Sequence, residues 1–383
     1  MVKNPVLMVL VVAALAAAIA LPFLSHAPNR LLSGQPVPWG LVLEGWRGLA
    51  FAPAIILLAG PFLPDGRITH ALVALAASAL IAGMIWLAGD VARAMADAAT
   101  PAARTSFGAA FWILAVMAAL AASDALQKLT REPALRIGLA LLLALPAVLL
   151  VANGFIDALS IMKEYANRRA VFAAAVTTHL AIIAAMLVPT LAIGVPLGLL
   201  VHRRQKLGRP IFAVLNIIQT VPSIALFGLL IAPLAALVAF APALARLGIS
   251  GIGVTPAIIA LTLYSLLPIV RSTAAGLAAV PGAAIEAARG IGMTRAQIFR
   301  AVELPLALPV LVAGLRVTVV QAVGLTAVAA LIGAGGLGAI IFQGLNASAI
   351  DLVLLGVVPL VGIAVLADLA LKLAGAMLKA RTG

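Results

Sequence analysis

Long apolar runs, separated by short polar or glycine- and proline-rich stretches, set the pattern of this chain. A helix needs roughly 20 predominantly apolar residues to cross about 30 Å of hydrocarbon. Ten segments fit: 6–24, 41–63, 71–89, 107–122 and 137–155 in the first half, and 173–201, 211–240, 252–270, 304–332 and 352–374 in the second. A break is expected near Pro233 in the seventh. The expected fold class is therefore all-α, a polytopic membrane protein with about ten transmembrane helices.

Composition excludes a water-soluble fold. Of 383 residues, 64% are hydrophobic and 10% charged, and the mean hydropathy is +1.22, far from a soluble balance of core and surface. The 33 Gly and 23 Pro interrupt the apolar runs, which membrane helices tolerate because neighbours satisfy the freed backbone groups. With no cysteine, there is no disulfide framework, thiolate metal site or cysteine nucleophile.

A net charge of +13 would suit nucleic acid only if Lys and Arg clustered on a solvated domain, and the chain has none, so no nucleic-acid partner is expected. The basic residues mark topology instead. With a cytoplasmic N-terminus, sixteen of the 25 Lys and Arg fall inside. Eight, Arg30, Arg47 and Arg93 among them, fall outside, and Arg316 lies within a span. Both termini are then cytoplasmic. Lys3, the first apolar run and the triplet Ser25, His26, Ala27 also match a cleaved signal peptide, but the run exceeds the usual apolar core of one, so a retained helix is expected.

The cytoplasmic excursion 271–303 differs from the rest. Pro281 suits the first turn of a helix, which carries Glu286, Ala287 and Ala288 and ends at Gly290 and Gly292 through a left-handed cap. Thr294 and Gln297 fit a capping box that opens a second short helix running towards Pro305. Two short helices joined at a glycine turn, small on one face and bearing one carboxylate, read either as a docking knob or as an ordinary amphipathic loop.

The spacing resembles a known motif. Glu286-Ala287-Ala288, three residues, Gly292, nine residues, then Val302-Glu303-Leu304-Pro305 is similar to the EAA loop of binding-protein-dependent ABC permeases, with Val302 for the usual Ile. The resemblance implies that Glu286, Ala287, Ala288, Gly292, Leu304 and Pro305 form the coupling element that seats on a separate cytoplasmic ABC ATPase. Further stretches resemble the osmoprotectant branch, which imports glycine betaine, choline, carnitine and related quaternary amines: His179-Leu180, a GVPLG turn at 194–198, QTVPS at 219–223, LYSLLPIVRST at 263–273, AGLR at 313–316 and IGAGGLG at 332–338. Ser272 stands where that branch commonly has Asn. The match covers about 173–380, and a longer form, the YehY type, carries extra N-terminal helices as here. It implies an N-terminal extension 1–155 of about five helices, an extracytoplasmic linker 156–172, and a type I ABC-importer permease core of about five helices at 173–383. It also implies the bacterial inner membrane, an extracytoplasmic substrate-binding protein, a second permease subunit of the same or another kind, and lipid around the helices.

Gly333, Gly335, Gly336 and Gly338 also satisfy G-x-G-x-x-G, but the preceding strand and the following acidic residue of a dinucleotide site are missing. They read as a helix break at an extracytoplasmic gate. No phosphate-binding G-x-x-x-x-G-K-[ST] occurs, so ATP is hydrolysed by a partner and the chain is not itself an enzyme. Gln219, Thr220, Ser223, Tyr264 and Ser265 place polar groups beside Pro222 and Pro268 within spans. Each serves either helix-to-helix hydrogen bonding or the translocation pathway. Arg316 either serves the pathway with a partner or snorkels to the cytoplasmic edge, and His179 is expected to be a packing residue.

No His, Asp or Glu cluster has ligand or acid–base spacing, so no catalytic residue, metal or cofactor is expected. An ion-coupled secondary transporter would place carboxylates in its spans, and the second half has only Asp368 there, near a helix end. Importers of methionine or other amino acids share the EAA loop and remain an alternative for the substrate. With 4 Trp and 2 Tyr, no cage for a quaternary ammonium is visible, and Trp39 and Trp46 read as interfacial anchors.

Overall fold

The computed structural model describes residues 2–29, 32, 34–98, 102–246 and 248–382; Arg30 and the side chain of Arg381 lie outside that description. The chain divides into two units, Met1–Asn167 and Arg168–Gly383. Among the described residues nine helices are long and apolar enough to cross a bilayer, and Pro5–Ala20 is a shorter apolar helix.

The first unit opens with α1 (Pro5–Ala20), where Pro5 fills a first-turn position and the Asn4 side chain accepts the Leu7 N–H at 3.1 Å. At 16 residues the helix is about 24 Å long, shorter than the apolar run. The rest of that run turns extended, and Leu24–Ala27 becomes β1, the middle strand of a small antiparallel sheet with β2 (Gln35–Pro36) and β3 (Arg104–Phe107). Ser25, His26 and Ala27 therefore sit in a paired strand, and His26 Nδ1 lies 3.0 Å from Thr105 Oγ1.

The second apolar run is not one regular helix. Gly45–Phe51 is 3₁₀, Ala54–Ala59 is α-helical and Gly60–Phe62 is again 3₁₀, with Pro53 and Pro61 at the joins, where a missing N–H interrupts the ladder. Then follow α2 (Arg67–Ala98), α3 (Ala109–Leu129) and α4 (Pro133–Ala152). Phe23 gathers Trp39, Phe51 and Phe111 at centroid distances of 5.5 to 5.8 Å. Trp39 is thus part of an aromatic cluster rather than a free interfacial anchor, whereas Trp46 is exposed.

The second unit comprises α5 (Arg169–Arg203), α6 (Gln205–Thr220), α7 (Ser223–Phe240), α8 (Val254–Ala278), α9 (Gly282–Gly290), α10 (Arg295–Ile298), α11 (Leu304–Val328), α12 (Leu337–Asn346) and α13 (Ile350–Thr382). Its centre is α8, on which α5 and α11 pack along their lengths. Ala257, Ala260, Leu261 and Tyr264 of α8 close a core with Ile182 and Met186 of α5, Phe227 of α7 and Ala322 of α11.

Two local expectations need correction. The seventh span breaks at Val221–Pro222, between α6 and α7, while Pro233 lies inside α7. Thr220 ends its helix because the residue before a proline is driven to extended geometry, and Val221 takes it at φ −69°, ψ 127°. The stretch 194–198 is no turn: both glycines and Pro196 lie within α5. Their role is close approach. A Cβ on Gly198 would lie 2.5 Å from Thr273 Cβ and 2.9 Å from the Val270 carbonyl, and one on Gly194 would lie 2.8 Å from Ile269 Cγ2. Small residues four apart let membrane helices meet backbone to backbone, where lipid offers no hydrophobic force to hold them.

Gly198→Val should therefore separate α5 from α8 and cost about 1–3 kcal/mol. The readout is the thermal midpoint of the detergent-purified protein, with Gly228→Val, where a Cβ meets nothing within 4 Å, staying near wild type.

Candidate functional site

The excursion after α8 folds into a hook. Pro281 precedes the helix, at φ −60° and ψ 128°, rather than occupying its first turn. Helix α9 presents Glu286 and Ala287 to solvent and buries Ala288 against the body. Gly292, at φ +83°, reverses the chain in a conformation that L side chains rarely adopt. Thr294 then caps α10 in a full capping box, its N–H donating to Gln297 Oε1 at 2.7 Å.

The second arm does not end before the next span. Residues Phe299–Glu303 form a π-turn that leads straight into α11, with Pro305 in its first turn. Single π-turns inside helices are rare and frequent at functional sites. The base of the hook is anchored: Leu277, Val280 and Ala307 form a small core, with Ile285, Phe299 and Leu199 packed on it. Arg203, at the end of α5, reaches Glu303 at 3.7 Å and lies 5.4 Å from the Phe299 ring centroid. The tip carries Ile291 at 81% exposure, and no atom comes within 4 Å of where a Cβ on Gly292 would sit.

Of the six polar span residues, Gln219, Thr220, Ser223 and Tyr264 collect at the α6–α7 break. The Tyr264 hydroxyl donates to the Val221 carbonyl, and Gln219 Nε2 donates to the Tyr264 carbonyl at 2.8 Å. These bonds hold the irregular backbone beside Pro222. Thr220 turns back to the Ile217 carbonyl at 2.7 Å and is exposed, while Ser223 begins α7 half-buried. Ser265 is buried beside Met186 Sδ at 3.7 Å.

Arg316 stands apart from that group, and its partner is Asp368 of α13, with Nε donating to Oδ1 at 3.0 Å. Its side chain is 39% exposed and that of Asp368 38%. Asp368 lies about five helical turns from Ile350 and is the counter-ion of Arg316. Gly314 of the same AGLR stretch packs face to face with Ser272, so the small side chain at 272 seats α8 against α11.

The glycine run is a true break. Residues Ala329–Ile332 tighten to 3₁₀, Gly333, Gly335 and Gly336 take φ of +82°, +77° and +74°, and α12 starts at Leu337. The Gly253 N–H donates to the Ile332 carbonyl at 2.8 Å. A Cβ on Gly336 would sit 3.1 Å from His179 Nδ1. His179 is fully buried there with the Val323 backbone as polar neighbour, in a packing position. Among the described residues no group of three His, Asp or Glu has metal-binding geometry.

A family model described as binding-protein-dependent transport system inner membrane component matches residues 190–381. A second, described as the N-terminal domain of the ABC transporter permease YehY, matches residues 3–162. The osmoprotectant import permease protein OsmW of Salmonella typhimurium is 44% identical over 190 residues, 50% of this chain and 83% of that protein. The glycine betaine/carnitine/choline transport system permease protein OpuCD of Bacillus subtilis is 42% identical over 178 residues, 46% and 71% of the two chains. A chain of the inward-facing MetNI methionine ABC transporter aligns over 54% of this chain and 96% of its own, at 29% identity and a TM-score of 0.48.

Removing one member of the Arg316–Asp368 pair leaves the other uncompensated within a span, whereas removing both leaves an apolar contact. Arg316→Leu and Asp368→Leu alone should each cost about 1–2 kcal/mol, a figure kept low because both groups are partly exposed. The double variant should return most of it. Thermal midpoints of the four proteins check this, and simple additivity of the two losses would show the charges to be uncoupled.

Proposed function

The chain belongs to the family of binding-protein-dependent transport system inner membrane components, and on that premise we propose that it is the permease subunit of an ATP-driven importer of osmoprotectants such as glycine betaine, choline or carnitine. The carrying observation is the hook at Glu286–Gly292 and its unbroken continuation into α11. The substrate class follows the printed roles of relatives such as the osmoprotectant and glycine betaine/carnitine/choline permeases.

The proposed work cycle uses this chain's own levers. A cytoplasmic ABC ATPase seats on the exposed tip, with Glu286 orienting the contact, and the apolar Ile291 and the side-chain-free Gly292 permitting close approach. Leu304 and Pro305 begin the helix that receives the push. Closure of the ATPases displaces α9 and α10. The π-turn passes that displacement to α11, which is bound to α8 through Gly276 and Ala307 and to α13 through Arg316 and Asp368. The α6–α7 break and the Gly333–Gly338 run are two places where spans of the second unit depart from regular helix. We assign the first to the pathway wall, with Gln219, Thr220, Ser223, Tyr264 and Ser265 around it, and the second to the extracytoplasmic gate.

A quaternary ammonium offers no hydrogen-bond donor, so its recognition relies on aromatic faces and carboxylates. In the second unit Tyr264 is 5% exposed and packed in the core between helices, so its ring face is not open to a cation, which supports selection by a separate extracytoplasmic binding protein rather than by this subunit. The cell-level arrangement proposed is the bacterial inner membrane with both termini cytoplasmic, two permease subunits, two ATPases and one binding protein. Residues 1–155 then form an extension, 156–172 a linker and 173–383 the permease core.

In proteoliposomes holding the assembled importer, Gly292→Trp and Ile291→Asp should each lower ATP-dependent betaine uptake by more than about tenfold. Insertion of both variants and the thermal midpoint of Ile291→Asp should stay near wild type, because Ile291 is exposed at the tip; Gly292→Trp also strains the left-handed backbone at φ +83°, so Ile291→Asp is the deciding variant. Full uptake by either well-expressed variant would reject the docking role of the hook, and uptake without any ATPase would reject the importer reading.

A further inference from the structure

The first unit holds a cavity of about 120 Å³ lined by fifteen residues, all apolar, from α1, the Gly45–Phe62 segment, α2 and α3. Cavities near this size with aliphatic walls stay dry and take up apolar ligands. Two of its lining residues, Leu15 and Leu58, are 45% and 40% exposed, so the cavity opens sideways through apolar lips.

From Leu80 on the cavity wall, a stripe in steps of three and four residues winds along α2 through Gly83, Trp86, Asp90 and Arg93. Gly83 packs beneath the Ala50 carbonyl, where a Cβ would lie at 2.7 Å. Trp86 meets Trp46 at a centroid distance of 4.7 Å. Asp90 accepts from Arg47 Nε at 2.7 Å, and Glu44 lies 3.9 Å from the same guanidinium. Arg93 donates to the Phe155 carbonyl at 2.8 Å with its guanidinium 3.9 Å from that ring's centroid.

One stripe thus runs from an apolar cavity, past an amphipathic aromatic pair, to a charged rim. The order is the depth profile of a phospholipid leaflet: acyl chain, interface, headgroup. The length agrees too. Thirteen residues from Leu80 to Arg93 span about 20 Å, half of the roughly 40–45 Å of a bilayer with its headgroups. The rim is charge-balanced, with two guanidiniums against the carboxylates of Asp90 and Glu44, so it complements a zwitterion rather than an anion.

We propose that this stripe binds one zwitterionic phospholipid of the phosphatidylethanolamine class. One acyl chain fills the cavity, the ester region lies against Trp46 and Trp86, the phosphate faces Arg93, and the ammonium faces Asp90 and Glu44. The bound lipid fixes the depth of the first unit in the membrane, a role independent of which solute is carried.

The test reconstitutes the full chain in nanodiscs with phosphatidylethanolamine carrying a photoreactive group in its acyl chain, and maps the labelled peptides. Label is expected on 7–18 and 114–121, the cavity stretches of α1 and α3. Ala54→Phe and Ala14→Phe, which fill the cavity from two sides, should each cut it about tenfold, the worth of roughly two buried methylenes, in proteins of unchanged thermal midpoint. Arg93→Gln should weaken labelling, and a phosphatidylglycerol probe should label less than the zwitterion. Equal labelling of wild type and both filled variants would mean bulk lipid only. Equal labelling by the two lipids, or photo-leucine at Leu58 crosslinking to a second copy of the chain in place of lipid, would equally overturn the proposal.

Discussion

The constraint on which this structure turns is that a peptide group facing hydrocarbon must find its hydrogen bond within the protein. Regular helices meet it by themselves, and most of the chain does no more than that. Interest therefore concentrates where the ladder stops. At Val221–Pro222 the freed carbonyl is taken by the Tyr264 hydroxyl, and the Tyr264 carbonyl in turn accepts from Gln219. At Ile332–Gly336 the chain takes left-handed turns, and the Ile332 carbonyl is recovered by the Gly253 N–H. Each departure from helix is matched by a specific donor on another element, so neither is a slack loop. Both are built irregularities, and the helices on either side can change angle only if those bonds change with them.

The second ordering force is close packing without a hydrophobic drive. Lipid chains are as apolar as leucine, so helices stay together through contact area and polar links. Gly194, Gly198 and Gly276 bring α5, α8 and α11 to backbone distance, and Gly314 makes room for Ser272. The Arg316–Asp368 pair adds a polar link between α11 and α13. An ion pair in a span is weak evidence for stability in itself; its value here is positional, since it fixes the rotation of α13 about α11. The same logic applies to Arg203, whose two contacts with Glu303 and Phe299 fix how the hook sits against α5.

Much of this was legible from residue pattern, for physical reasons. Most of the apolar runs of about 20 residues, the capping box at Thr294 and Gln297 and the glycine break after Ile332 are local signals that emerge as elements of the kind expected. What escaped was non-local or marginal. The strand Leu24–Ala27 lies at the end of an apolar run and pairs with Arg104–Phe107, some eighty residues away, which no period along the chain announces. The counter-ion of Arg316 is fifty-two positions on in another helix. Pro233 and Pro222 look alike as breakers, yet Pro233 lies inside its helix while the chain breaks at Pro222, where Tyr264 and Gln219 bridge the gap. The glycines at 194 and 198 resembled a turn in composition, whereas their packing on α8 required knowing which helix lay opposite.

The π-turn at Phe299–Glu303 was equally invisible, and it bears most directly on how the hook works. Had the second arm ended in a flexible joint, movement of the tip would dissipate before reaching the membrane. Had it been uninterrupted α-helix, the tip and α11 would move as one rod, and any tilt at the hook would have to drag Arg203 and the Leu277–Ala307 core with it. One π-turn is intermediate: the backbone remains hydrogen-bonded through Phe299–Glu303, and the two end residues of that turn both contact Arg203. In the proposed cycle the hook acts as a lever with its fulcrum at Arg203. For the docking role proposed above, that geometry, more than the exposed residues at the tip, is what suits the element to turning a push on the hook into a rotation of α11.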